Sequence, residues 1–316
     1  MSELSMSEKH GLLLKNVTRN SQSEYTVLEF LLARIRNKNT RETYFSALKQ
    51  FMKWLESNGL YLESLSSVEL SAYIEGHSGS ASTIRLHLAA IRMLYSSLQI
   101  SGQLYHNPAL PVRAPGLRRE RGKTPVLTAD QVRLLLDGLA GLSDPLALRD
   151  RALIATMFFA CPRISAVCRM RVGDYFLEGK RHKLRFTDKG DKLREIPCNH
   201  RLCDCLDDYL EEAGIRDDFK GPLFRVTRGS SQKLRRSAMS RHDAFRMIKR
   251  RTKSFGLPEG ICNHSFRGSG LTVYLKNGGT LEKAQEIAGH SSSDTTRLYD
   301  RRNEEIMQAE VERITY

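Results

Sequence analysis

The chain has 316 residues, 50 of them Lys or Arg and 36 Asp or Glu, for a formal charge of +14. That length accommodates two domains with their own cores, and that charge attracts polyanions, so nucleic acid leads the expected partners. No run of about 18 apolar residues exists, which excludes a membrane-spanning helix; the six Cys form no C-x-x-C pair and the apolar stretch Gly11 to Leu14 is far too short for a signal peptide, so an intracellular, reduced protein is expected.

Residues 1–22 are polar and without period, as in a loose tail. Residues 23–106 read as a small all-helical domain. A helix is expected around Tyr25 to Ile35. The next begins at Thr40, with Tyr44, Leu48, Phe51, Met52 and Leu55 on one face and Asn58-Gly59 as its stop. Another opens at Ser66, whose spacing to Glu69 fits a capping box, and a further one carries Ile84, Leu88, Ile91, Tyr95 and Leu98 on its apolar stripe. Arg41, Lys49, Lys53, Arg85 and Arg92 lie off these stripes and are candidate phosphate contacts, although a charged helix face is often only solvated. Residues 107–126 hold Pro108, Pro111, Pro115 and Pro125 with Arg113, Arg118, Arg119, Arg121 and Lys123, which predicts an extended basic linker able to lie along a DNA backbone.

A second domain, 127–316, opens at Thr128, three residues before Gln131 in a capping-box pattern. A long apolar helix through Leu153, Ile154, Met157 and Phe158 stops at Cys161-Pro162, and Arg163 begins a further helix, where backbone donors and a guanidinium suit one phosphate. Leu184 to Thr187 and Leu193 to Pro197 form a hairpin with Lys189 at its tip, a position that is usually solvent-facing. Asn199 caps a helix bearing Leu202, Leu206, Tyr209 and Leu210. Cys198, His200, Cys203 and Cys205 beside it do not match zinc spacing, so no metal is expected. Past Phe224 the chain is polar and basic, and a helix from Ser240 presents Arg241, Lys249 and Arg250. Basic residues without interleaved aromatics favour duplex over single-stranded DNA.

The stretch from Asn263 to Tyr299 concentrates chemistry. With Asn263 as cap and Asn277-Gly278-Gly279 as stop, His264 and Arg267 share a helix face. Gly289 ends the next helix and leaves His290 at the start of a loop; Tyr299 follows on a short helix. A tyrosine hydroxyl attacking a phosphodiester conserves bond energy in a phosphotyrosine and needs no ATP. Arg163 and Arg267 are suited to clamp the two non-bridging oxygens, His290 either to donate to the phosphate or to help hold its oxygens, His264 to accept the tyrosine proton, and Lys189 to protonate the leaving 5′ oxygen. No carboxylate constellation suggests a divalent ion, so neither metal nor cofactor is expected. Tyr299 is the favoured nucleophile, because a reactive hydroxyl needs an accessible, adjustable position and His290 precedes it closely; Tyr274 is expected to pack, and the terminal Tyr316 could sit anywhere. Met307, Val311 and Ile314 mark a final helix over 304–316 whose stripe could dock on its own domain or on a neighbour.

Arg163, Lys189, His264-Ser265-Phe266-Arg267, Gly289-His290 and Tyr299, in that order, resemble the tyrosine recombinase, or phage integrase, family of site-specific DNA recombinases. Arg163-Ile164-Ser165 with Asp174, and Lys189 to Arg194 with Pro197, resemble the family's arginine helix and hairpin. The resemblance implies a two-domain DNA clamp: an N-terminal helical, SAM-like core-binding domain and a mainly α catalytic domain with a small sheet. It implies Arg163 and Arg267 as clamp, Lys189 as general acid, His264 as proton acceptor, His290 as phosphate partner and Tyr299 as nucleophile. It further implies duplex DNA carrying a specific site, a dimer per site and a tetramer in the synapse, an accessory DNA-bending protein in some systems, and a cytoplasmic, nucleoid or host-cell DNA compartment. The chain differs from the family's common pattern at Ala166, where an acidic residue is usual, and at Cys161-Pro162, where Gly-Leu is usual. A type IB topoisomerase and a catalytically inactive DNA-binding protein are the alternatives; site-specific exchange, plasmid relaxation and a covalent adduct discriminate among the three.

Overall fold

The computed structural model describes residues 14–116, 124–142, 144–188, 190–227, 233–290 and 292–300. The chain divides into two compact units, Met1–Arg118 and Arg119–Tyr316. Residues 1–13 of the expected 1–22 tail, the stretch 117–123 with Arg118, Arg119, Arg121 and Lys123, Lys189, and the expected final helix with Tyr316 lie outside the described residues. Residues 14–22 are not a loose tail: Leu14 and Val17 are buried on a helix whose apolar side joins the first core.

In the first unit, polar caps start the helices and apolar stripes join them. Helix α1 (Leu14–Val17) precedes α2 (Ser21–Glu29), which Asn20 caps and which widens into a π turn over Phe30–Arg34. Helix α3 (Lys38–Ser57) begins two residues before the expected Thr40, because the Asn37 carboxamide accepts from the N–H groups of Asn39 and Thr40. Helix α4 (Ser67–Glu75) has the reciprocal Ser66–Glu69 box, and α5 (Ala81–Ile100) starts at Ser80. Leu48, Phe51, Leu55, Ile91, Tyr95 and Leu98 are fully buried where these stripes meet.

The proline-rich stretch expected as linker belongs in part to this unit. Ala109 and Val112 are buried in its core, and the Asn107 amide donates to Arg92 O and Ser96 Oγ, both at 3.0 Å. Arg92 donates Nε to Ala109 O at 3.0 Å and Nη2 to Val112 O, and Arg85 donates to Pro115 O at 3.1 Å. Proline removes donors, yet these two arginines supply them from the helix, so a Pro-rich run packs instead of hanging in solvent. At its far end Leu127 is buried in the second unit and its N–H bonds Ser269 Oγ at 2.7 Å.

The second unit is built around α7 (Pro145–Phe159), apolar on nearly every side and hence central. Helices α6 (Ala129–Ala140), α8 (Ile164–Val167), α9 (His200–Glu212), α10 (Arg241–Ser254), α11 (Asn263–Lys276), α12 (Leu281–Ala288) and α13 (Ser293–Arg297) complete the helical part. A sheet of order β1-β2-β3, all antiparallel, comprises Tyr175–Glu178, Arg181–Thr187 and Leu193–Pro197, and a ribbon pairs β4 (Arg225–Thr227) with β5 (Leu234–Ala238). The hairpin was expected; β1, β4 and β5 were not. Strand β5 is largely exposed and arginine-rich, so no alternation marks it; Arg236 and Arg225 instead converge on Asp218 at 2.7 Å and 2.5 Å. Helix α11 crosses α7 so closely that a Cβ on Gly270 would lie 1.9 Å from Phe158 O, which only glycine permits. Asp150, fully buried in α7, accepts from Arg149 Nε at 3.0 Å and Arg251 Nε at 2.8 Å, tying α7 to α10.

Candidate active site

Helix α11 starts one residue earlier than expected: Cys262, not Asn263, is the cap, with its N–H bonded to Ser265 Oγ at 3.0 Å. His264 and Arg267 lie three apart, but they differ in environment. His264 is exposed, while Arg267 is 2% exposed. Arg267 Nη1 donates to Cys161 O. Burial, then the charge of Arg163, holds its pKa down to about 10. This is a cation kept in a dry place, the arrangement in which a donor acts most strongly on developing negative charge.

Cys161 is the bend that brings Arg163 to it. Its φ of 49 turns the chain out of α7, and Arg163 becomes the residue capping α8. Burial pushes the Cys161 thiol up to about 12, so it is an unreactive neighbour. Arg163 Nη1 donates to Gly289 O at 3.0 Å and lies 3.7 Å from Asp188 Oδ1.

Gly289 closes α12 in the left-handed region, φ 63, as its position predicted. His290 follows it at the start of a loop, but the ring is packed: 8% exposed, with Nδ1 3.0 Å from Thr296 Oγ1. Burial first, then Arg267, Arg163 and Arg194, pushes its pKa down to about 3, so the imidazole is neutral at physiological pH. With Thr296 as donor, the ring proton sits on Nε2. The ring stacks on Tyr299, centroids 5.8 Å apart and planes 8° from parallel. Tyr299 lies in the turn just beyond α13, half-buried, with its carbonyl accepting from Thr272 Oγ1 at 3.2 Å. A Cβ on Gly268 would stand 3.2 Å from Tyr299 Cε1, so the absent side chain makes room for the Tyr299 ring. The pKa of His264 is also lowered, by desolvation, Arg267 and Arg163. Tyr274, like Tyr299, is partly buried against the cluster of Leu271, Leu275 and Ala284.

The structure thus brings together Arg163, His264, Arg267, His290 and Tyr299 from four segments. Sequence reasoning missed Asp188 and Arg194. Arg194 Nε bonds Asp188 Oδ2 at 2.8 Å, its Nη1 bonds Ile287 O at 2.6 Å, and its guanidinium lies 4.8 Å over the Phe186 ring. The signal was present: Arg194 pairs with Phe186, and Ile196 with Leu184, so the alternation of the hairpin turns Arg194 inward.

The expected phosphate contacts divide. Lys49, Lys53, Arg113, Arg241 and Arg250 are exposed, although Arg250 also lies 3.6 Å from Asp150. Arg41 donates Nε and Nη2 to Ile35 O at 3.1 and 2.9 Å, Arg85 and Arg92 hold the 109–115 segment, and Lys249 caps Glu259 O. These four carry a structural duty that their off-stripe positions did not reveal. Cys205 is buried against the core, and among the described residues no three His, Cys, Asp or Glu side chains gather as metal ligands would.

The profile of the Phage integrase family matches residues 125–305, and that of the phage integrase N-terminal SAM-like domain matches 27–100. The chain belongs to the phage integrase family. This integrase is 28% identical over 282 residues to the tyrosine recombinase XerD of Listeria monocytogenes serotype 4b (strain F2365), covering 86% of this chain and 91% of that one. Its fold is that of a lambda integrase dimer bound to a COC' core site, TM-score 0.70 at 21% identity over 96% and 83% of the two chains. A lambda integrase tetramer bound to a Holliday junction gives TM-score 0.70 at 21% identity over 92% and 80%. The integrase is a tyrosine site-specific recombinase, mainly helical with a small antiparallel sheet in its catalytic unit.

The neutral imidazole of His290 has a thermodynamic consequence. Its folded pKa lies below that of the unfolded chain, so the stability it contributes is present above about 6.5 and is lost as pH falls toward 3. Urea unfolding of the integrase and of His290→Gln from pH 7.5 to 5 is expected to show the wild type losing stability relative to the variant over that descent. Parallel curves contradict a neutral, buried His290.

Proposed function

We propose that this integrase cuts and rejoins duplex DNA at a specific site through a 3′-phosphotyrosine on Tyr299. The observation that carries the reading is the desolvated Arg267 within electrostatic reach of Arg163, His264, His290 and Tyr299. The Tyr299 oxygen attacks phosphorus and the P–O5′ bond breaks. His264 takes the phenolic proton, and Lys189 gives a proton to the departing 5′ oxygen. Arg163 and Arg267 hold the two non-bridging oxygens, and neutral His290 donates from Nε2 to one of them. Attack by a 5′ hydroxyl of another strand reverses these steps and exchanges the strands.

The helical domain 23–106, the basic stretch 107–126 and the catalytic domain 127–316 each contribute to binding the duplex. Exposed Lys49, Lys53, Arg113, Arg241 and Arg250 contact phosphates there. A dimer on each site and a tetramer in the synapse assemble the reaction, assisted in some settings by a DNA-bending protein. Among the described residues no helix is long and apolar enough to cross a membrane. The proposed substrate places the protein where its DNA is, in the cytoplasm and nucleoid or a host-cell DNA compartment.

A duplex nicked close to the cut traps the intermediate, because the short 5′ fragment diffuses away. Proteolysis and mass spectrometry of the trapped protein are expected to locate the DNA on the peptide containing Tyr299. No adduct, or an adduct on another residue, contradicts the reading.

A further inference from the structure

Three guanidinium groups and two imidazoles crowd this active site, and a carboxylate stands among them. Asp188 follows the last residue of β2 and is 8% exposed; its N–H bonds Lys192 O at 2.8 Å, closing the hairpin turn. Its Oδ2 accepts from Arg194 Nε at 2.8 Å. Its Oδ1 is buried, has no hydrogen bond among the described residues and lies 3.7 Å from Arg163 Nη1. Both arginines continue to the same place: Arg194 Nη1 bonds Ile287 O and Arg163 Nη1 bonds Gly289 O. The last carbonyls of a helix lack intrahelical donors and carry the negative end of its dipole, so two cations there satisfy both needs.

The packing around the carboxylate is tight. A Cβ on Gly289 would lie 2.8 Å from Asp188 Oδ2 and 2.9 Å from Arg194 Nε, so the helix end, the carboxylate and the guanidinium are fitted to one another. Without the carboxylate, Arg163, its side chain 36% exposed, and the more buried Arg194 would face each other as like charges with no anion between them. Asp188 sets their separation. It is ill-suited to touch the DNA itself, since its charge opposes that of a phosphate.

We propose that Asp188 is a positioning residue for strand cleavage: through Arg163 it fixes one half of the phosphate clamp against the C-terminus of α12, immediately before His290. This rests on the reading of Arg163 as a phosphate ligand. Its expected size follows from misplacing a clamp by about an ångström, on the order of 100-fold in rate.

The test is the single-turnover cleavage rate on saturating nicked duplex, with Kd and Tm measured in parallel. Asp188→Asn keeps an oxygen for Arg194 Nε but removes the charge. It is expected to slow adduct formation by about 10- to 100-fold with Kd no weaker than wild type. In an Arg163→Lys background the same change is expected to slow cleavage by less than about twofold, because the two residues act as one unit. A duplex with sulfur in place of the bridging 5′ oxygen has a leaving group that needs no proton, and the Asp188→Asn defect is expected to persist on it. Arg194→Lys, which leaves Asp188 charged but releases its second partner, should give the same pattern at smaller size and serves if Asp188→Asn does not fold. Wild-type rates in these variants, full additivity with Arg163→Lys, or recovery on the sulfur substrate overturns the proposal; recovery would assign Asp188 to proton delivery from the hairpin. Absence of any wild-type adduct overturns the active-site reading, and the role of Asp188 with it. A normal wild-type adduct alongside an unimpaired Asp188→Asn overturns the role of Asp188 alone.

Discussion

Arg267→Met is expected to lower the rate of adduct formation by about 10³- to 10⁵-fold, the range over which a transition-state arginine acts in phosphoryl transfer, while leaving the protein at least as stable as before. The two halves of that expectation have one cause. Arg267 is buried to 2% exposure and its hydrogen-bonding partner is the neutral carbonyl of Cys161. Burial and Arg163 disfavour its charged form, so below its pKa of about 10 the group detracts from folding. Methionine leaves no charge to desolvate; the Cys161 carbonyl loses its donor, a cost of about 1–3 kcal/mol, which the relieved desolvation of the guanidinium offsets. An active site that is costly to fold but dry enough for a guanidinium to act strongly is the expected compromise. Cleavage of a nicked duplex and a thermal melt of the same preparation check both halves. A melting temperature lowered by more than a few degrees would make Arg267 a structural pillar, and a rate within tenfold of wild type would remove it from the clamp.

How much of this site could be read beforehand depended on whether a residue's neighbours were near in sequence. Gly289 as helix stop, Thr128 and Ser66 as capping residues, and the apolar faces of α3 and α5 all rest on contacts within one or two turns, and the structure has each of them. Arg92 shows the opposite. Its place off the apolar stripe of α5 suggested a surface cation, yet its guanidinium holds Ala109 and Val112, whose distance along the chain no helical period encodes. Strands β4 and β5 were hidden because β5 is held by its ladder and by Asp218, not by a buried face. Ala166 is the sharpest case. Family resemblance raised the absence of an acid there, and the structure buries that methyl in the core while a carboxylate approaches Arg163 from Asp188 on another element. Motif spacing names residue types along a line; which charges meet is decided by how α8, the hairpin and α12 pack.

Tyr299→Phe is expected to abolish the adduct altogether while leaving DNA affinity and melting temperature nearly unchanged. The ring is what packs: it stacks on His290 and fills the space over Gly268, and both contacts survive in phenylalanine. Among the described residues no hydrogen bond is made by the Tyr299 hydroxyl, so its removal strands no partner. Tyr95 and Tyr209 supply the internal comparison. Their hydroxyls are buried and donate to Leu62 O at 3.1 Å and Leu223 O at 2.9 Å, and burial pushes the Tyr209 pKa up to about 12. Removing either hydroxyl leaves a buried carbonyl without its donor and should lower stability by about 1–3 kcal/mol with the adduct still formed. Gel analysis of trapped adducts, with affinity and melting measured on the same three variants, separates the two kinds of tyrosine. A covalent species surviving in Tyr299→Phe would move the nucleophile elsewhere. An exposed or half-buried tyrosine whose oxygen the fold does not use is what a reaction with an incoming phosphate requires, because any bond made in the free protein would have to be broken before attack.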